Sequence, residues 1–441
     1  MTCIRIFCSE ITPRLHYVLN FVAIHYEDLS FELLEISTAA GDIDGPVVEY
    51  SEQKSIGSAL WIKDQAILMK LPSVGLPARK SVRNNPVVFA DEMEGSFGYD
   101  FFASVFWMLT GCEALQNLQR DRHGRFPASA SIWYASRDYK RPLADLWCED
   151  FIAAIQTKFK LRLNRKNDFQ WTVGIDVDQP WKYAYKPWYK ILGGSLKALL
   201  NGHFHEFVER VSVHLGFSKD PFDTYEFLLS DEAIRSRLIF FILDRSMLAI
   251  DSTHDPLSKA YQKMLRRLAS QVRIAIHPSY QTMMDERLLS REMIRLQQVT
   301  GARIEDSRQH YLRYEMPDTF RHLERQGIRR DYSQLYADDT GFRNGTAHPY
   351  PFYDIEEERI GVLIMMPVIA MDRSLQQYLM LSPEAALEDL GQLMSQAIAH
   401  GSYAHIIWHN SSFDFEAEWK PWKGFYEKMI SLFLQMAARL R

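Results

Sequence analysis

The second half of the chain alternates short apolar runs with longer segments of helical periodicity. The apolar runs, which have the length and composition of β-strands, are WTVGID (171–176), RLIFFILD (237–244), VRIAIHP (272–278), GVLIMMPV (361–368) and YAHIIWH (403–409). The segments with helical spacing cover residues 194–215, 256–270, 283–297, 317–326, 383–400 and 423–440. Repeated strand–helix units predict parallel strands joined by helices, which is an α/β fold. If the strands close into a barrel, functional residues are expected at their carboxyl ends.

The first part of the chain has a different pattern. Residues 1–50 mix β-like and helical pieces, and residues 68–96 are rich in Pro, Gly, Asn and charge, which is typical of loops. Residues 99–118 carry apolar side chains at helical spacing and predict one long buried helix. Residues 143–160 predict a second helix, which is amphipathic.

Polar residues that could do chemistry stand where the predicted strands end. They are Asp176 with Asp178, Asp244, His277 and His409. Asp176 and Asp178 are two residues apart, so on a strand their side chains point to the same face. Two carboxylates at such a distance repel each other unless a cation lies between them or one is protonated. The pair therefore indicates either a bound cation or an accident of the turn that follows the strand.

A divalent metal would account for the paired carboxylates. Asp178 and His277 offer one hard oxygen and one imidazole, a combination that suits zinc or a similar ion. His310, in SRQHYLRY, is the candidate for a third ligand. Asp176 would lie beside the metal and accept a proton from the attacking water. His409 would protonate a leaving group, because imidazole titrates near neutrality.

Arg343 and a group of aromatic residues are further candidates for the site. Arg343, in the turn-rich stretch GFRNGT, could orient Asp176 or bind a substrate oxygen, although a surface salt bridge is the commoner use of such a residue. The aromatic side chains could stack on sugar rings, although such residues also fill cores. They are Trp171, Trp181, Tyr183, Tyr185, Trp188, Tyr189, Trp408, Trp419 and Trp422.

The composition fits a folded protein and restricts its partners. The chain has 441 residues, enough for two domains, with 47% hydrophobic residues and a formal net charge of −5. A negative balance argues against a nucleic-acid partner. Its cysteines, Cys3, Cys8, Cys112 and Cys148, form neither a disulfide framework nor a metal motif. We find no signal peptide and no apolar stretch long enough for a membrane span, and therefore expect a cytoplasmic protein.

These motifs resemble those of the polysaccharide deacetylase superfamily, also called the NodB-homology or carbohydrate esterase family four fold. Its members are distorted (β/α) barrels that remove acetyl groups from sugars with a divalent metal. GIDVD is similar to the family's first motif, Thr-Phe-Asp-Asp-Gly, which implies that Asp176 is the base and Asp178 a metal ligand. IAIHPSYQ is similar to the motif His-Ser/Thr-x-x-His, with His277 first and Gln281 in place of the second His.

Three other segments extend the resemblance. RLIFFILD looks like the family's strand Ala-Thr-Phe-Phe. GFRNGT looks like the motif that carries the family's arginine, which gives Arg343, and IIWHN looks like its last motif, which gives His409 as the acid. Since Gln281 departs from the family pattern, His310 is our candidate to supply the missing ligand.

Longer stretches are similar to a bacterial subgroup of this superfamily that carries an N-terminal domain of unknown function. They are YDFFASVFWMLTGCEALQNLQRDRHGRFPA (99–128), DPFDTYEFL (220–228), IHPSY (276–280), SRQHYLRYEMPDTFRHL (307–323), DYSQLYADDTGFRNGT (331–346) and WHNSSF (408–413). The resemblance implies a smaller N-terminal α/β domain over residues 1–165. It also implies a distorted (β/α) barrel of the polysaccharide deacetylase type over residues 166–441.

The leading hypothesis is a metal-dependent deacetylase, with zinc as the expected metal, that acts on an N- or O-acetylated sugar or polysaccharide. Two other hypotheses stay open. Gln281 would suit a catalytically impaired carbohydrate-binding or assembly module in polysaccharide biosynthesis, and the same barrel could instead hydrolyse a non-sugar C–N bond. The joint presence of a base and an acid, Asp176 and His409, favours an enzyme.

Overall fold

The computed structural model describes residues 2–39, 45–91, 95–166, 168–244, 251, 254–415 and 418–439. The strands are β1 (Thr2–Cys8), β2 (Leu29–Glu35), β3 (Val47–Ser51), β4 (Leu60–Lys63), β5 (Lys80–Val82), β6 (Asn85–Val87), β7 (Gln170–Val177), β8 (Leu238–Leu243), β9 (Arg273–His277), β10 (Asp306–Ser307), β11 (Arg330–Asp331), β12 (Tyr350–Asp354), β13 (Arg359–Met365), β14 (Val368–Met371) and β15 (Tyr403–His409). The helices are α1 (Pro13–Ala23), α2 (Phe101–Leu109), α3 (Cys112–Gln116), α4 (Leu143–Phe159), α5 (Trp188–Leu200), α6 (Phe204–His214), α7 (Tyr225–Ser230), α8 (Glu232–Arg235), α9 (Lys259–Ala269), α10 (Glu286–Thr300), α11 (Asp318–Arg325), α12 (Pro383–His400) and α13 (Phe425–Ala438).

The N-terminal part contains a small parallel sheet. Its strand order is β2-β1-β3-β4, and β5 and β6 form a separate antiparallel hairpin. The helix predicted over residues 99–118 is wrong in its length, because α2 ends at Leu109 and α3 begins at Cys112. Gly111 lies between them with a φ of 65°, a left-handed conformation that interrupts the helix.

The larger sheet curls until its two ends meet. Its order is β12-β13-β11-β10-β9-β8-β7-β15-β14, and all neighbours are parallel except β12 with β13. In a flat sheet β13 and β14 would be about 34 Å apart, since neighbouring strands are spaced by about 4.8 Å. Only Met366 and Pro367 join them, a link that spans about 10 Å. The predicted α/β fold with a distorted barrel is therefore confirmed.

The prediction of a single strand over residues 361–368 is wrong, because Met366 and Pro367 divide it. The apolar run is two strands, β13 and β14, each paired with a different neighbour. Pro367 interrupts the run because proline has no N–H to donate to a ladder. The helix predicted over residues 194–215 is likewise two helices, α5 and α6, separated by Gly202 with a φ of 74°.

The strands of the barrel alternate between two cores. Along β7, Val173, Ile175 and Val177 belong to the main hydrophobic core, which also contains residues of the surrounding helices. A second cluster, which includes Phe241 and Ile407, fills the interior of the barrel. The side chains between the outward-facing residues of β7 therefore point into the barrel, where the polar groups described below lie.

The N-terminal part packs tightly on the barrel. The buried carboxylate of Asp145 on α4 accepts hydrogen bonds from the Thr346 hydroxyl and the Ala347 N–H, both at 2.7 Å. The Tyr17 hydroxyl donates to the Pro351 carbonyl at 2.9 Å. The division at residue 165 into two domains stays a prediction. Among the described helices, none combines the length and the apolar character that a bilayer crossing requires.

Candidate active site

A cavity of about 280 Å³ opens at the carboxyl ends of β7, β9, β14 and β15. This is the end of a parallel barrel where functional residues are expected. The residues that line it are Arg125, Asp176, Asp178, His277, Gln309, His310, Tyr311, Leu312, Met371, Arg373, Gln377, Tyr378 and His409.

Three of these side chains converge on one point. His277 Nε2 is 3.3 Å and His310 Nε2 is 3.8 Å from Asp178 Oδ1. One donor atom from each of the three residues lies within 4.8 Å of the others. The structure thus brings together the three residues that the sequence suggested as metal ligands.

A hydrogen bond at Nδ1 fixes the tautomer of His277 and of His310. His277 Nδ1 is 2.5 Å from the Arg308 carbonyl oxygen, and His310 Nδ1 is 2.7 Å from Asp251 Oδ1. Carbonyl and carboxylate oxygens accept hydrogen bonds, so each Nδ1 carries the proton and each Nε2 presents a lone pair to Asp178.

The buried Asp178 Oδ1 has no hydrogen-bond partner among the described residues. Burial raises the pKa of Asp178, but when the rings are doubly protonated the contact with His277 and the positive charges of His310 and His409 outweigh burial and hold this pKa below its usual range. Two imidazole lone pairs and a carboxylate oxygen that face one another form a donor set that suits a divalent cation.

Asp176 is held by Arg308. Arg308 Nε is 2.9 Å from Oδ1 and 3.1 Å from Oδ2 of Asp176, and Nη2 also contacts Oδ1. Both side chains are almost completely buried. A carboxylate that receives several hydrogen bonds from one guanidinium is fixed in orientation.

His405 completes the support behind Asp176. Arg308 Nη1 donates to His405 Nε2 at 2.7 Å, and His405 Nδ1 lies 2.7 Å from the Thr172 hydroxyl. Burial and the adjacent Arg308 charge lower the pKa of His405 well below its usual value, so it stays neutral. Gly174 provides the space for these two side chains, because a Cβ there would lie 2.5 Å from Arg308 Nη2 and 2.5 Å from His405 Nε2.

His409 is paired with a buried carboxylate. Its Nδ1 is 2.7 Å from Asp372 Oδ1, and its backbone N–H donates to Asp372 Oδ2 at 2.7 Å. Its Nε2 lies 3.9 Å from Asp176 Oδ2 and 3.7 Å from Asp178 Oδ2. Burial disfavours the imidazolium, but the charge and hydrogen bond of Asp372 and the charges of Asp178 and Asp176 raise the pKa of His409 to about 9.

The prediction that Arg343 orients Asp176 is wrong. Arg343 donates to the Leu335 carbonyl at 3.3 Å, and its guanidinium packs on the rings of Phe126, Tyr314 and Tyr336. It lines a different and smaller cavity. The arginine that contacts Asp176 is Arg308, which follows β10.

Two other expectations differ from the structure. Asp244 forms an ion pair with Arg295 on α10, at 3.1 Å, and does not line the active-site cavity. The aromatic residues expected to form a sugar cleft do not line it either: Trp171, Trp408 and Trp419 are buried in the core. The aromatic side chains in the wall are Tyr311 and Tyr378.

The sequence reading missed Arg125, Asp251, Arg308 and Asp372. Asp372 follows β14 directly, so the strand-end rule would have found it if the run 361–368 had been divided at the proline. Arg308 follows β10, which has two residues and is too short for a periodicity signal. Arg125 belongs to the N-terminal part and donates to the Tyr311 carbonyl at 3.0 Å and the Tyr378 hydroxyl at 3.1 Å.

Comparisons with known proteins give a family and two similar structures. Residues 4–160 match the model of a family of unknown function, DUF7033. No curated protein matches the chain. A crystal structure of a protein assigned as a polysaccharide deacetylase from Mycobacterium smegmatis is 15% identical, with a TM-score of 0.38, and the match covers 62% of this chain and 91% of that one. A crystal structure of Puue allantoinase is 13% identical, with a TM-score of 0.37, and the match covers 59% and 84%. Because these sequence identities and TM-scores are low, the assignment of the fold rests on the strand order described above.

Proposed function

We propose that the protein is a metal-dependent hydrolase that removes acetyl groups from an N- or O-acetylated sugar or polysaccharide. The observation that carries the proposal is the convergence of Asp178, His277 and His310 in one cavity with Asp176 and His409. A metal donor set beside a buried carboxylate and an imidazole is a combination that can hydrolyse an acyl bond.

Asp178, His277 and His310 would hold the metal, with zinc as the expected ion. Their donors fit a divalent cation because each histidine presents a lone pair and Asp178 Oδ1 has no hydrogen-bond partner within the described part of the chain. When bound, such an ion polarises a substrate carbonyl and acidifies water.

Asp176 and His409 would move the protons. Asp176 would accept the proton of the attacking water, and Arg308 holds its carboxylate in a fixed orientation for this task. His409 would give a proton to the departing amine or hydroxyl. Burial disfavours the imidazolium, but the charge and hydrogen bond of Asp372 raise the pKa of His409 and favour the protonated form that a general acid needs.

The polar side chains of the cavity wall suit a substrate that is rich in hydroxyl groups. Gln309, Gln377 and the Tyr378 hydroxyl line the cavity and can donate or accept hydrogen bonds. The Tyr311 ring also lies in the wall, where a sugar ring could pack on it. The resemblance of the sequence motifs to polysaccharide deacetylases supports the same substrate class.

A second candidate is hydrolysis of a C–N bond in a small acidic molecule. The observation that favours it is a pair of arginines in the cavity wall, Arg125 and Arg373. Both guanidiniums also contact carboxylates, Asp121 and Glu418, which reduces the positive charge available to an anionic substrate. We therefore place this candidate second.

Acetate release from acetylated sugars and glycans tests the proposal. The purified full chain should release acetate from at least one N- or O-acetylated substrate, lose this activity with a chelator and regain it with zinc. Asp176→Asn should reduce the rate by about 10²–10⁴-fold while metal content stays unchanged. Metal-independent release would refute the proposal. Hydrolysis of acidic ureides or amides without acetate release would favour the second candidate.

A further inference from the structure

Helices α5 and α6 form a hairpin between β7 and β8 that leaves its large apolar side chains in solvent. The side chains that the two helices bury are small or few: Ser195, Ala198 and Val213. Those exposed are Trp188, Tyr189, Leu192, Leu196, Leu199, Leu200, Phe204 and Val208. Leu192 is 64% exposed, Leu200 78% and Phe204 66%. An exposed apolar surface of this kind marks an interaction site.

The apolar residues of α5 lie on one side of the helix. At 3.6 residues per turn, Trp188, Leu192 and Leu199 fall on one line, and Leu196 lies next to it. Ser195 and Ala198, which are buried against the protein, lie beside Trp188 at one edge of this apolar surface. The exposed apolar residues therefore begin next to the packed face and continue round the helix to Tyr189 and Leu200.

Lysines border this stripe. Lys190 and Lys197 are seven residues apart, so they share a face of α5, and both are exposed. This face lies beyond Leu200, at the edge of the apolar surface away from Ser195. Helix α5 contains Lys190 and Lys197 and no acidic residue, whereas α6 contains Glu206, Glu209 and Arg210, in a chain whose formal net charge is −5. An aromatic and leucine-rich stripe bordered by lysines is the pattern of helices that lie in the surface of a membrane.

The base of the hairpin is fixed to the barrel on the same side as the active-site cavity. Lys182 Nζ forms ion pairs with Asp414 Oδ2 at 2.6 Å and Glu209 Oε2 at 3.1 Å. Asp414 follows β15 and His409, and the hairpin itself begins shortly after Asp178. Asp220, beyond the hairpin, accepts the backbone N–H of Lys182 at 2.8 Å. These contacts join the hairpin to the loops at the carboxyl ends of β7 and β15.

We propose that the α5–α6 hairpin binds the surface of a bilayer that contains anionic lipids. The apolar stripe would enter the boundary between headgroups and acyl chains, and Lys190 and Lys197 would contact the lipid phosphates. A second copy of the chain is a poorer occupant, since a twofold interface would bring the same lysine-bordered surfaces together. The proposal does not depend on the proposed hydrolase activity. It implies that the barrel opens close to the membrane surface.

Flotation of the full chain with lipid vesicles tests this inference. We expect the protein to float with vesicles of phosphatidylcholine and phosphatidylglycerol, to float less with pure phosphatidylcholine, and to be released by salt. Each of Lys190→Gln and Lys197→Gln should weaken binding about fivefold. Leu192→Asp should weaken it at least about tenfold.

Leu118→Asp is the matched control, because Leu118 is 81% exposed and lies outside the hairpin. It should bind vesicles as the unchanged protein does, and thermal unfolding should report the same fold for all variants. Equal binding to both kinds of vesicle, or unchanged binding by Leu192→Asp, would overturn the inference. A dimer in solution that Leu192→Asp converts to a monomer would also overturn it, in favour of a second copy as the occupant.

Discussion

His310 Nε2 lies 3.8 Å from Asp178 Oδ1, and His310 Nδ1 lies 2.7 Å from Asp251. This relationship gives a physical account of the departure at Gln281. In the resembling family a second histidine of the same motif completes the ligand set, whereas here Gln281 is outside the group of described residues that line the cavity. His310, from the loop after β10, lies beside Asp178 and is supported there by a carboxylate, and we propose that it supplies the missing ligand.

Asp251→Ala should weaken metal binding about 10–100-fold, because it removes the acceptor that fixes the proton on His310 Nδ1 and the orientation of the ring. The metal affinity can be measured by titrating the apo-protein with metal in competition with a fluorescent chelator. Glu232→Gln, at a side chain that is 88% exposed, is the control and should bind metal normally. Unchanged affinity in Asp251→Ala would contradict the role given to this pair.

Arg308→Lys and Arg343→Lys form a matched pair that distinguishes the two arginines. Lysine keeps the charge but cannot make the two-pronged contact with Asp176, so Arg308→Lys should reduce the acetate-release rate at least about tenfold. Arg343→Lys should leave the rate near that of the unchanged protein, since Arg343 packs on aromatic rings away from the cavity. The opposite order of effects would show that Arg343, and not Arg308, serves the reaction.

Asp372→Asn should move the alkaline limb of the pH–rate profile to lower pH. Asp372 raises the pKa of His409, which acts as an acid only while it is protonated. Activity is therefore present below this pKa and is lost as the pH rises through it. A bound cation lowers the pKa of His409 in both proteins, so the comparison isolates Asp372. A limb that does not move, measured as kcat against pH, would exclude His409 as the group that titrates.

Glu113 should make the stability of the protein depend on pH. Its buried carboxyl accepts hydrogen bonds from Ser131 and Ile132, yet burial raises its pKa to about 7, from a usual value of 4.5. The folded state thus keeps a proton that the unfolded state releases, and stability falls as the pH rises between these two values. Urea unfolding should show that Glu113→Gln removes a dependence of up to roughly 1.4 kcal/mol per pH unit. Identical pH dependence in both proteins would contradict the assignment.

The alternation of apolar runs and helical segments predicts most of the barrel correctly. The continuous apolar run of β8 and the alternating apolar residues of β7 are patterns that can be read directly. β10 and β11 have two residues each and are defined by their neighbours in the sheet, so no local pattern can reveal them. Breaks in helices and strands at Gly111, Gly202 and Pro367 could have been anticipated from residue type, because glycine and proline interrupt regular structure.

The active-site residues also divide into those that a local pattern predicts and those that depend on the tertiary structure. Asp176, Asp178, His277 and His409 could be predicted because they end readable strands. The arginine beside Asp176 could not, because the contact depends on how the sheet curls. Gly174 is an indirect sign of this contact in the sequence, because a Cβ at this position would collide with the guanidinium of Arg308.

The metal content of the purified chain tests the central claim most directly. Elemental analysis by plasma mass spectrometry should find about one zinc or similar divalent ion per chain, and His310→Ala should reduce this to a small fraction, because one of three protein ligands is lost. The matched variant His203→Ala, at an exposed histidine on the hairpin, should keep its metal. An unchanged protein that stays free of metal after incubation with zinc, or a His310→Ala variant that holds as much as the unchanged protein, would contradict the account.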